Sequence, residues 1–372
     1  MKSLIRLVCC SLSVFCAILL LADRGLAESK LPDAPTAATK ASAPLRIAVI
    51  TSLSGFAASY GQSVLEGIQL AVAELKKEGI SVELLVEDDS SQSNQTFTAY
   101  QSLKSRGKID ALITGSWWVR NLVQITERDQ IPFLSVETVY DRDFVFSPNY
   151  FVIGGDLREW IAAYDPLFAS KGWKRAAIVH FISGFGYTLA DALRARFDVP
   201  GRAFAGAVEY QDVEAAQAGM LILRAKKLDP DVVYLDGQPQ SVVGFIKKRA
   251  ELGLSSLPII GNTTIKNSIE QGLIPVDQQD NLYFTQRSSA APAFEDRFVA
   301  KYGKKPQLNA DLGYYGTMIF ARNSKAPDLQ AAIRNSVTEI DGVNFSFNKD
   351  NVLQGLVWKV YAVNSGKITP AE

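Results

Sequence analysis

The chain has 372 residues, 47% of them hydrophobic, with 39 basic and 39 acidic side chains and a single histidine. That balance excludes the basic face on which nucleic-acid binding depends, and the length is ample for two hydrophobic cores. One histidine cannot build a multi-histidine metal centre, and the three cysteines all fall within the first 16 residues.

Residues 1–27 read as an address. Lys2 and Arg6 precede an apolar run from Leu7 to Ala22, and Gly25-Leu26-Ala27 places small residues before Glu28. The pattern predicts a secretory signal peptide cleaved before Glu28. The run is short for a membrane span, which needs about 20 residues; a retained anchor is the alternative. Cys9, Cys10 and Cys16 lack the small residue that precedes a lipidated cysteine. Cleavage leaves a cysteine-free chain with 36 basic and 38 acidic residues. Disulfides and thiol catalysis are then excluded. Residues 28–44, rich in Ala, Pro, Thr, Ser and Lys, predict a disordered spacer.

From Leu45 the chain alternates strand and helix. Leu45–Thr51 is an apolar run of the kind buried on both faces of a parallel sheet. A Ser/Gly loop follows, and then apolar residues from Val64 to Leu75 recur at helical spacing. Strands are predicted at 81–86, 109–114, 132–136 and 150–153, with helices at 92–106 and up to about Arg128. A second round repeats the pattern. Its strands are expected at 175–181, 203–210, 231–235 and 257–260, and its helices at 184–197, 213–227 and 241–252. A strand at 281–285 and helices at 293–302 and 309–321 return the chain to the first round. Such alternation predicts an α/β fold of two doubly wound parallel-sheet lobes.

Several motifs carry a family resemblance. "SLSGFAASYG" after the first strand, "GIQLAVAEL" in the first helix, "FEDRFVAKYGKKP" and the tail "GVNFSFNKDNVLQGLVWKVYAVNSGK" resemble the leucine/isoleucine/valine-type periplasmic binding proteins. The resemblance covers about residues 45–368. It implies the type I periplasmic-binding-protein fold, a substrate-binding protein of an ABC transporter with a leucine-binding-protein domain. It further implies three crossovers between lobes, near Gly154-Gly155, Thr285-Gln286 and Ile340-Asp341-Gly342. The N-terminal lobe is then 45–154 with 286–340, and the C-terminal lobe 155–285 with 341–372.

Enzyme chemistry finds no support in the residues. His180 lies in an apolar strand, where a buried, hydrogen-bonded histidine is the expected role. No G-x-S-x-G elbow, G-x-G-x-x-G fingerprint or G-x-x-x-x-G-K-[ST] loop occurs. No catalytic residue, cofactor or metal is expected. Glu87-Asp88-Asp89 reads as a structural run that caps the following helix.

Ligands of open α/β sheets sit outside the carboxyl ends of the strands. The candidate binding residues are therefore Ser54 and Tyr60, then Ser116, Trp117 and Trp118, then Glu137 and Thr138. The second lobe adds Phe185, Asp236 and Asn262, with Tyr187, Gln238 and Thr263 beside them. The resemblance implies hydroxyls and an acidic residue that clamp an amino acid, but Trp117-Trp118, Glu137 and Gly261-Asn262-Thr263 stand in those places. Glu137 or Asp236 could then take over the amine. The expected ligand is a small polar organic molecule: an amino acid, an amide, or an aromatic or cationic compound.

The expected protein is a periplasmic monomer that hands its ligand to an ABC permease and ATPase complex in the inner membrane, with no nucleic-acid partner. The alternatives are a ligand sensor that docks a signalling receptor and, less in keeping with the motifs, an α/β enzyme.

Overall fold

The computed structural model describes residues 43–55, 57–116, 118, 120–138, 146–211, 217–287, 293–307 and 309–371. The expected signal peptide and nearly all of the spacer lie outside the described residues, as does Trp117.

The first lobe is built on β1 (Leu45–Thr51), which pairs in parallel with β2 (Val82–Asp88) on one side and β3 (Ala111–Gly115) on the other. Parallel pairing continues through β4 (Phe133–Ser135) to β5 (Tyr150–Val152), in the order β2-β1-β3-β4-β5. Successive side chains of β1 enter different cores. Ile47 and Val49 pack on one face of the sheet, Ala48 and Ile50 on the other, and all four are fully buried. This two-faced burial is why the strand reads as a continuous apolar run.

One face is covered by α1 (Ala58–Lys77), α10 (Ala293–Tyr302) and α11 (Ala310–Asn323), the other by α2 (Ser93–Ser105) and α3 (Arg120–Arg128). Glycines let α1 and α11 meet backbone to backbone. A Cβ built on Gly67 would lie 1.7 Å from the Ala310 carbonyl oxygen, and one on Gly313 2.5 Å from that of Val64.

The second lobe repeats the plan. β6 (Arg175–Phe181), β7 (Ala203–Tyr210), β8 (Val232–Leu235), β9 (Ile259–Gly261) and β10 (Leu282–Arg287) form a parallel sheet in the order β7-β6-β8-β9-β10. Two antiparallel strands, β14 (Trp358–Asn364) and β15 (Lys367–Pro370), extend it beyond β10. On one face lie α4 (Leu157–Ala162), α5 (Asp165–Ser170) and α6 (Gly184–Phe197). On the other lie α7 (Ala218–Lys227), α8 (Pro239–Glu251) and α9 (Thr263–Glu270).

The last passage between lobes differs from the expected one. β11 (Thr338–Ile340), β12 (Val343–Phe347) and β13 (Leu353–Gln354) form a small antiparallel sheet. Ile340, Phe345 and Leu353 bury in the first lobe's core, so residues 341–354 belong there rather than with the second lobe. Asp341-Gly342 is a hairpin turn, not a crossing. Ile340 pairs with Val343, and both turn residues have positive φ, 54° and 77°. Asp-Gly suits a two-residue turn of that hand. The chain passes to the second lobe between Gln354 and Trp358. There Leu356 packs against Gly155 of the first crossing, where a Cβ would lie 2.8 Å from its Cδ1. That position has φ of +80°, so close approach and backbone conformation both require glycine.

Candidate functional site

Both crossing strands leave their sheets at the carboxyl end. β5 passes through Gly154-Gly155 straight into α4 of the second lobe, and β10 ends at Arg287, whose side chain grips Asp311 of the first. The carboxyl ends of the two sheets therefore confront one another, which is where an open α/β sheet takes its ligand.

On the first lobe a polar network surrounds Glu137, just past β4. The Tyr60 hydroxyl, in the first turn of α1, donates a hydrogen bond to Glu137 Oε1. Asn309 Nδ2 donates to the Tyr60 hydroxyl at 3.1 Å and to the Val136 carbonyl at 3.2 Å. Asn309 sits in the left-handed region, φ 63°, at the head of α11. Two residues on, Asp311 accepts both terminal nitrogens of Arg287, at 2.5 and 2.7 Å, in a pair whose side chains are 10% and 12% exposed. Burial pushes the Glu137 carboxyl up to about 7, against the lowering effect of the Tyr60 hydrogen bond. The Tyr60 phenol is raised well above its usual value, by burial first and then by Glu137.

On the second lobe Asp236 follows β8 directly and is 5% exposed. Burial pushes its carboxyl up to about 7, although backbone N–H groups of Phe181 and Gly237 pull it down. The Tyr210 hydroxyl donates to the Asp236 backbone carbonyl at 2.8 Å, not to its carboxylate. Phe185, in the first turn of α6, meets Trp160 of α4 edge-on at 5.7 Å, and Trp160 lies 4.9 Å from Trp358. Trp358 stands opposite Arg287 in the β10–β14 pairing. An aromatic cluster thus sits where the first and third crossings enter the second lobe.

The remaining candidates have local duties. The Ser54 hydroxyl donates to Asp88 Oδ2 at 2.6 Å, and its backbone N–H donates to Oδ1. Ser116 is fully buried, and its Oγ accepts the Trp118 N–H at 3.1 Å, leaving Trp118 36% exposed. Thr138 donates to the Gly154 carbonyl at 3.3 Å, tying the end of β4 to the first crossing. Asn262 Oδ1 accepts the Thr264 N–H at 2.8 Å and caps α9. His180 is fully buried, with Nδ1 3.0 Å from the Phe181 carbonyl and its ring edge-on to Tyr187.

The acidic run does not cap α2, whose first turn receives no side-chain hydrogen bond. Asp88 instead accepts from Leu53, Ser54 and Ser90, while Asp89 Oδ1 accepts from Ser52 and Ser91. The two aspartates shape the loop after β1. Among the described residues no group of acidic, histidine or cysteine side chains could hold a metal ion.

Sequence reasoning passed over Arg287, Asn309, Asp311, Trp160 and Trp358. A charged residue closing an apolar strand, as in "LYFTQR", was the available signal for Arg287. Its partner lies 24 residues on, and no local pattern points to it.

Residues 44–349 match the model of the family described as periplasmic binding protein. The chain belongs to that family. It is 23% identical over 277 residues to Leu/Ile/Val-binding protein homolog 3 of Brucella melitensis biotype 1, covering 72% of this chain and 74% of the relative. Among solved structures it is similar to an ABC-transporter substrate-binding protein from Sphaerobacter thermophilus. The TM-score there is 0.76 at 21% identity, over 88% of this chain and 96% of that one. A solute-binding protein from R. palustris in complex with benzoate gives a TM-score of 0.71 at 19% identity, over 88% and 95% of the two chains. A branched-chain amino acid transporter substrate-binding protein from Streptococcus pneumoniae in complex with isoleucine also gives 0.71 at 19%, over 88% and 99%.

These likenesses establish the type I periplasmic-binding-protein fold. The family is one of binding proteins, not of enzymes.

Proposed function

We propose that this chain is an exported solute-binding protein that takes one small polar organic molecule between its lobes and closes over it by hinge motion. It then delivers that molecule, as a monomer, to an ABC permease and ATPase complex in the inner membrane. The observation that carries this reading is the confrontation of the two sheets' carboxyl ends across three chain passages, with Glu137 on one side and Asp236 on the other. Polar side chains at facing strand ends are what a ligand-binding crevice in this class of sheet requires. Three passages of one or a few residues, two of them at or beside glycines, are the parts of a hinge. The signal-peptide pattern of residues 1–27 supports export to the periplasm, with cleavage before Glu28.

A thermal-shift screen of the chain from Glu28 onward tests the reading. The panel holds amino acids, amides, aromatic acids, amines and sugars. A ligand present at 100 times its dissociation constant stabilises the folded state by about 2.7 kcal/mol. A clear rise in Tm with at least one class of compound is the expected result. A folded protein, stripped of carried-over ligand, that responds to none of them contradicts the reading.

A further inference from the structure

We propose that the solute carries a positive charge not balanced by a carboxylate of its own, an ammonium or amidinium group recognised by Glu137 of the first lobe and Asp236 of the second. This inference rests on the solute-binding reading above and narrows its ligand class.

Both carboxyls stand at strand ends that face the other lobe, and among the described residues neither is paired with a lysine or arginine. Among the described residues, the groups acting on Glu137 are its own burial and the Tyr60 hydroxyl. Only Oε1 takes that hydroxyl. Arg287 is the cation that acts on Tyr60, but Asp311 pairs with it bidentately from the side of α11. The amide of Asn309 is spent on Tyr60 and Val136. The first lobe thus offers a solute an acceptor, and the Arg287 guanidinium that reaches it from β10 already has a carboxylate partner.

The second lobe repeats the arrangement. Asp236 is only 5% exposed; burial raises its carboxyl and two backbone N–H groups lower it. Tyr234, two residues earlier in β8, is fully buried, and its hydroxyl has no hydrogen-bond partner. Residues two apart on a strand share a face, so this unpartnered hydroxyl lies on the same side as Asp236.

Desolvated carboxylates without a countercharge are costly, and a bound cation removes that cost. A carboxylate solute would meet two carboxyls of its own sign. The aromatic cluster of Trp160, Phe185 and Trp358 fits the same ligand class, because ring faces attract cations.

The proposal carries a proton linkage. Both carboxyls are pushed up to about 7, so they are only partly ionised at neutral pH. A cation favours their ionised forms, and its affinity must rise with pH through that range. The titratable and charged groups around Glu137 are Tyr60 on α1, with Arg287 and Asp311 behind it. Those around Asp236 among the described residues are Tyr210 on β7, Tyr234 on β8 and, on β6 one residue past the Val179–Leu235 pairing, the buried His180.

The test is calorimetric titration of the chain from Glu28 with matched sets of probes. Each amine (benzylamine, agmatine, choline) is paired with a carboxylate and a neutral amide of similar shape, such as benzoate and benzamide. Isoleucine is included as a zwitterion. The expected result is an amine that binds at least about tenfold more tightly than its carboxylate counterpart. Its affinity should rise from pH 6 to pH 8. Glu137→Gln and Asp236→Asn should each weaken that amine by about tenfold or more, and by more than they weaken the matched amide. A cooperative thermal transition shows that the variants are folded.

Tighter binding of benzoate or isoleucine, or amine affinity untouched by both substitutions, overturns the cation proposal and leaves the solute-binding reading standing. A folded chain that binds no member of any class overturns both.

Discussion

Arg287, the last residue of β10, grips Asp311 in the first turn of α11 with two parallel hydrogen bonds, at 2.5 and 2.7 Å. The strand belongs to the second lobe's sheet and the helix to the first lobe's core, so this buried pair is a polar joint between lobes at the second crossing. The α11 N-terminus adds favourable dipole at Asp311.

Breaking the joint leaves one buried charge without its partner. Arg287→Ala or Asp311→Ala should lower the unfolding free energy by about 3–5 kcal/mol. The double variant Arg287→Met with Asp311→Leu should recover much of the loss, because it removes both charges. Urea unfolding of the three variants checks this. Single variants as stable as the parent would show that the pair contributes nothing net.

Stability in the absence of ligand should fall with rising pH between about 4 and 7, and level off above. Glu137 and Asp236 are raised to about 7 by burial, and unfolded carboxyls titrate near 4. In that window the folded chain holds more protons than the unfolded one, so each unit of pH costs stability. Glu137→Gln or Asp236→Asn should flatten the slope and stabilise the chain at pH 8 by an amount on the order of 1 kcal/mol each. Asp88 acts at lower pH and with the opposite sign. Burial pushes its carboxyl up, but hydrogen bonds from Ser54, Ser90 and Leu53 outweigh that and hold it below the usual range. Its contribution is present above the unfolded pKa and is lost as pH falls through the folded one. Urea midpoints measured from pH 3 to pH 8 would separate the two effects.

Tyr60→Phe removes the hydroxyl that donates to Glu137 and accepts from Asn309. The cost to stability should be about 1 kcal/mol. The Glu137 carboxyl, without the hydrogen bond that lowers it, should titrate higher. Any pH-dependent ligand affinity should shift its midpoint upward by the same change, which titrations across pH 6 to 9 would read.

Gly67→Ala tests the close approach of α1 and α11. Alanine gains about 1 kcal/mol in helix propensity over glycine. Its methyl, however, would overlap the Ala310 carbonyl oxygen. Overpacking of this kind costs about 1–3 kcal/mol, and more where backbone must move. The net result should be destabilisation, seen as a lower Tm.

The strand order was legible because buried parallel strands advertise themselves. Arg175–Phe181 and Ala203–Tyr210 match the expected bounds residue for residue, as does the helix Gly184–Phe197. What failed was non-local. Asp341-Gly342 was read as a crossing from its position in the family resemblance, while the partner strand that makes it a hairpin has no local signature. Asn262 was read as a ligand residue from its place after a strand, and it caps α9, a helix of only 8 residues. Ser54 lies where function was expected, yet its hydroxyl is engaged by Asp88, 34 residues away. Strand ends identify the neighbourhood of a site; which side chains are spent on the fold and which face a ligand depends on partners the local sequence does not show.

The most direct test of closure on a ligand between the lobes is a distance across the crevice. The chain from Glu28 onward has no cysteine, so spin labels go only where they are introduced. Asn94→Cys and Gln240→Cys place them at exposed positions in the helices that follow β2 and β8, one on each lobe. A shorter interlabel distance at saturating ligand, returning to its starting value on dialysis, is the predicted result. An unchanged distance with a ligand that calorimetry shows to be bound would contradict closure and place the binding elsewhere.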